Sequence, residues 1–97
     1  MENQNQQKVQ IKVKDEDLKG NYANMAQLGH TKEEFILDFF MVHPPAGTLA
    51  SRVITSPGHA KRLLGALQTN IENYEKKFGK IEKAEAPKGG NIGFQSE

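Results

Sequence analysis

Cysteine is absent from this chain of 97 residues, which excludes disulfides and thiolate metal sites and fits a reducing compartment. An excess of charge of one sign is also missing. Thirteen basic residues stand against twelve acidic ones, a formal net charge of +1, whereas a general nucleic-acid footprint shows as a strong basic excess or a clustered patch. No apolar run approaches the roughly 18 to 20 residues of a membrane span, and the opening MENQNQQKVQ lacks the apolar segment of a secretory signal. The expectation is a cytoplasmic protein. The length allows one domain, and a domain this small buries a modest share of its surface.

What is present is dominated by one stretch, SPGHAKRLLGALQTNIENYEKKFG at 56–79. Ser56 suits the cap of a first turn, Pro57 sits where a missing N–H costs nothing, and Gly79 can take the left-handed conformation that stops a helix. Ala60, Leu64, Leu67, Ile71, Tyr74 and Phe78 alternate in steps of four and three, with Leu63 widening the stripe. They form one apolar face, while Lys61, Arg62, Gln68, Glu72, Asn73 and Lys76 look toward water. Such a helix spans roughly 33 Å at about 1.5 Å per residue, long enough to cross a small sheet.

Upstream, residues 1–7 are polar and read as a disordered segment. Residues 8–14 alternate, with Val9, Ile11 and Val13 on one side and four polar side chains on the other, which predicts an edge strand. Asp15 to Asp17 and Gly20-Asn21 predict a turn, and 22–28 a weaker strand. The run at 33–42 is apolar on both sides except for Asp38, the pattern of a central strand covered on two faces. The HPPAG segment at 43–47 breaks the ladder, and 49–55 forms the next strand. A hairpin symmetric about Pro45 sets Ile36 against Ile54, Leu37 against Val53, Met41 against Leu49 and Asp38 against Arg52. Residues 81–97 lose periodicity and read as a flexible tail, leaving 8–80 as the domain.

The expected architecture is α+β: a small antiparallel sheet of about four strands followed by one long C-terminal amphipathic helix packed on one face. A single helix covers a single face. The other face, with Ile36, Phe40, Val42 and Ile54, then needs a cover, which predicts self-association as a homodimer.

YAN at 22–24, EFILDFF at 34–40, SRVITSPGHAKRLLGALQ at 51–68 and YEKKFG at 74–79 occur in an order that resembles the bacterial family catalogued as domain of unknown function 3467. The resemblance covers roughly residues 8–80. It implies a small stand-alone cytosolic protein with no established enzymatic activity and no catalytic residues to transfer. In some bacteria members of that family are encoded beside the genes for the large RNA polymerase subunits, which makes the transcription machinery the first candidate partner.

Few residues invite chemistry. Asp38 and Arg52 read as a structural ion pair or as interface contacts together with Ile36, Phe40 and Ile54. His30, His43 and His59 sit on separate segments without the i, i+4 spacing of a metal pair, so no metal and no cofactor are expected. Ser56 beside His59 lacks the GxSxG elbow of a nucleophile, and no enzyme is expected. The helix start, with Ser56, Gly58, His59, Lys61 and Arg62, is a weak candidate for anion binding. Lys76, Lys77, Lys80 and Lys83 complement the negative end of the helix or contact nucleic acid. Ile92 and Phe94 are apolar residues in a polar tail, incidental or a docking pair. The expectation is a non-enzymatic interaction protein, an accessory component of a larger assembly. A nucleic-acid-binding regulator and a small anion or ligand binder are the alternatives.

Overall fold

The computed structural model describes residues 7–87 and Gly93, so Ile92 and Phe94 lie outside the described residues. The elements run α1 (Asp15–Lys19), β1 (Met25–His30), β2 (Phe35–His43), β3 (Ala46–Thr55) and α2 (Pro57–Phe78). The fold is α+β, with a three-stranded antiparallel sheet in the order β1-β2-β3 followed by the C-terminal helix.

Three strands form where the pattern predicts four. Residues 8–14 carry no regular secondary structure, and Val9 and Ile11 are exposed. Alternation decides which side chains share a side, but a strand also needs a neighbour for its backbone donors and acceptors. The acidic cluster that reads as a turn folds as α1, which ends at Gly20 with φ of 72°.

β1 covers Met25–His30 rather than 22–28, and Asn24 explains the offset. Its Nδ2 donates to the Val42 carbonyl and its Oδ1 accepts from the Val42 N–H, both at 2.8 Å. An amide side chain thus replaces a backbone residue on the β2 ladder, and strand pairing proper begins one residue later, at Met25 opposite Phe40. At the other end, Thr31 turns the chain: its Oγ1 accepts from the N–H groups of Glu33 and Glu34, each at 3.1 Å.

β2 is the central strand, as its two apolar faces require. Against β3, Ile36, Leu37 and Asp38 face Ile54, Val53 and Arg52. Toward the tip the partners change. Phe39 faces Ser51 but Phe40 faces Leu49, so Ala50 bulges out and Met41 meets Thr48 rather than Leu49. The connection is also tighter than a five-residue loop, because His43 pairs with Ala46 across Pro44 and Pro45 alone, which are joined by a cis bond.

α2 has the predicted ends. Ser56 accepts from the His59 N–H at 3.1 Å, Pro57 occupies the first turn, and Gly79 adopts φ of 101° while its N–H donates to the Glu75 carbonyl. Among the described residues only Asp38 and Phe40, 6 % and 4 % exposed, are buried. Both lie on the β2 face that carries Ile36 and Val42.

Candidate interaction surface

α2 follows the sheet in sequence but stands off from it. None of its residues is buried. Between helix and sheet lies an open cleft of about 760 Å³. Ala26, Leu28, Phe35, Leu37 and Phe39 line it from β1 and β2, on the opposite face from Asp38. Ala60, Leu63, Leu64, Ala66, Leu67 and Asn70 line it from α2. Asn70 is the one polar side chain there, and its Nδ2 donates to the Ala66 carbonyl at 2.9 Å. The cleft therefore offers apolar contact and almost nothing that would orient a polar ligand.

The stripe on α2 continues beyond the cleft through Ile71, Tyr74 and Phe78. Tyr74 and Phe78 rings lie 5.0 Å apart, and Lys77 Nζ sits 5.3 Å from the Phe78 ring centre. Much of this surface is wet: Leu64 is 64 % exposed, Leu67 56 %, Phe78 65 %, and Leu28 across the cleft 65 %. The sequence pattern places the uncovered surface on the face of Ile36, Phe40, Val42 and Ile54. The structure moves most of it to the helix side. Ile54 is exposed, but Phe40 is buried, and the helix leaves open the face it was expected to seal. Periodicity locates the apolar faces of two elements and says nothing about the gap between them.

On the opposite face Asp38 and Arg52 form a two-pronged ion pair. Arg52 Nε donates to Asp38 Oδ1 at 2.7 Å and Nη2 donates to Oδ2 at 2.8 Å. The hydrogen bond from Arg52 holds the Asp38 carboxyl below its ordinary value; burial opposes this, and the guanidinium charge adds to it. The same hydrogen bond raises Arg52, followed by the Asp38 charge. Both oxygens of the acid are engaged, so Asp38 serves as a fixed partner for Arg52 and not as a poised proton acceptor.

With the hairpin, the Asn24 clamp and the capped helix placed, the quoted motifs fall on these features in order. Residues 1–83 match the family described as protein of unknown function (DUF3467). The chain belongs to this family. No curated protein and no solved structure matches it.

The remaining candidate groups of this DUF3467 protein are dispersed. His30 stacks on Phe35 with ring centres 5.3 Å apart, and His59 Nδ1 lies 2.8 Å from Arg62 Nη2, where it accepts from the guanidinium. His43 ends β2. Among the described residues no three His, Asp or Glu side chains are grouped to hold a metal ion. At the helix start Ser56 Oγ is an acceptor for the His59 backbone, and the Ala60 N–H donates to the Ser56 carbonyl at 3.0 Å. Two first-turn donors and Arg62 are therefore already engaged, while Lys61 and Gly58 remain at the surface. Lys76 and Lys77 occupy the last turn of α2, where their charge complements the helix dipole. No helix among the described residues is long and apolar enough to cross a membrane.

Proposed function

We propose that this DUF3467 protein is a non-enzymatic cytoplasmic interaction protein, a homodimer that serves as an accessory component of a larger assembly, with RNA polymerase the first partner to test. The observation that carries this reading is the apolar cleft continuous with the exposed stripe of α2. Exposed apolar surface of that extent on a small chain marks a place where another macromolecule sits. The lining supports contact and not catalysis, because its single polar side chain is bonded within its own helix. The choice of RNA polymerase is supported by the gene neighbourhood that the family resemblance implies.

The test is an affinity pull-down from native lysate with a tagged full chain, with and without nuclease and at moderate and high salt, read by mass spectrometry. Stoichiometric RNA polymerase subunits that survive nuclease and salt support the accessory role. Recovery that vanishes with nuclease or falls steeply with salt favours a nucleic-acid-binding regulator working through its lysines. Absence of the polymerase subunits removes that partner.

A further inference from the structure

We infer that the cleft and stripe are the homodimer interface, and that a second copy's α2 lies antiparallel beside α2 and closes the cleft over the sheet. This rests on the homodimer reading and adds where the two copies meet. Three features of the chain select that occupant over a small apolar molecule or an unrelated helix.

The first is extent. A ligand that filled the cleft would cover Leu64 and Leu67 but leave Tyr74 and Phe78, which belong to the same stripe, in water. Leu28, Leu64, Leu67, Tyr74 and Phe78 are each half or more exposed, so the uncovered surface runs from the sheet along the helix to its end, a length that a second helix matches and a small ligand does not.

The second is self-complementarity. The stripe consists of two rows spaced by seven residues: Ala60, Leu67 and Tyr74 in one, Leu64, Ile71 and Phe78 in the other. An antiparallel pairing about a two-fold axis near the middle of α2 sets Leu67 against the partner's Ile71, Leu64 against the partner's Tyr74, and Ala60 against the partner's Phe78. The smallest side chain of the stripe meets one of the largest at each end, and the medium Leu67 and Ile71 meet beside the axis.

The third is charge. Lys61, Gln68 and Glu75 share the flank of the stripe that does not line the cleft. In the same pairing Lys61 meets the partner's Glu75, Gln68 meets the partner's Gln68, and the two-fold axis repeats the ion pair at the other end. A parallel in-register pairing would instead set Gln68 against the partner's Leu63 and Glu75 against the partner's Asn70, with no opposite charge for either flank to meet.

The experiment combines the oligomeric state with surface variants of the full chain that leave every stripe residue in place. Sedimentation equilibrium should give a dimer at micromolar concentration. Because the chain has no cysteine, Gln68→Cys introduces a single thiol, and a short bifunctional maleimide should join two copies through it; Asn73→Cys, on the water side of α2, should not join. Lys61→Glu should weaken dimerisation about tenfold, since two flank pairs become repulsive, and Lys61→Glu combined with Glu75→Lys should restore it. A dimer that neither joins through position 68 nor responds to the charge swap overturns the α2 interface and leaves the homodimer standing on another surface. A monomer at every concentration overturns both. A monomer that carries an apolar small molecule in native mass spectrometry does the same and assigns the cleft to a ligand.

Discussion

Leu67→Ala distinguishes a chain whose helix stripe stays wet from one whose stripe is covered. Leu67 lines the cleft and is 56 % exposed in one chain, so folding of that chain alone takes somewhat under half of the side chain out of water. Full burial of a leucine is worth about 1.5–3 kcal/mol, which scales to about 1 kcal/mol at this site, and alanine's better helix propensity returns a few tenths of that. A single chain should therefore lose no more than about 1 kcal/mol. With a second copy over the stripe, the truncation leaves a hole in a closed core and costs about 3–5 kcal/mol per chain. Urea unfolding followed by far-UV circular dichroism, at two protein concentrations tenfold apart, reads both quantities. In a dimer that concentration step adds about 1.4 kcal/mol per dimer and moves the midpoint upward. A loss of about 1 kcal/mol or less with a midpoint indifferent to concentration refutes the covered stripe.

Other expectations concern single contacts. Asn24→Ala removes both hydrogen bonds to Val42 and should cost about 1–2 kcal/mol, with faster amide exchange at Val42 as the local readout. Ser56→Ala removes the cap on the His59 N–H and should cost about 1 kcal/mol in the same unfolding assay. Asp38 has its folded-state pKa lowered by the Arg52 hydrogen bond, so the unfolded chain binds its proton first as the pH falls. The stability from this pair is then fully present above about pH 4, the ordinary aspartate range, and is lost as the pH drops through the lower folded value. The stability difference between the native chain and Asp38→Asn should be constant near neutrality and shrink in acid; a difference that stays flat down to pH 2 contradicts the assignment.

The parts of this fold that the sequence makes legible are those decided by neighbours along the chain. Ser56, Pro57 and Gly79 fix both ends of α2 by local backbone chemistry, and the four-three spacing fixes its apolar face. β2 declares itself central because Phe35, Ile36, Leu37, Phe39 and Phe40 leave neither side polar. A count symmetric about Pro45 gives the Asp38–Arg52 pairing, but the tip runs one residue out of that register and the bulge at Ala50 restores it. Legibility ends where a decision depends on distant partners. Val9, Ile11 and Val13 alternate as a strand should, yet whether an edge is free to receive them is a property of the whole sheet. The Asn24 clamp looks like any loop asparagine until Val42 is brought opposite it. The cleft is the largest omission, since the spacing of Leu64 and Leu67 records that they want cover and not whether the cover comes from their own chain.

Ala50 has a consequence for how this hairpin tolerates change. A two-residue turn with an unbroken ladder would set Asp38 opposite Ser51 and send Arg52 to the other side of the sheet, opposite Leu37. The extra residue puts the two ends of the hairpin back in step. A three-residue turn centred on Pro45 with no bulge would keep the same Asp38–Arg52 pairing, and so would the two-residue turn with Ala50 deleted. The tip, from Phe40 to Leu49, therefore runs on a vernier relative to the base: a one-residue change in its length can be taken up at position 50 without reaching the acid and the base below it.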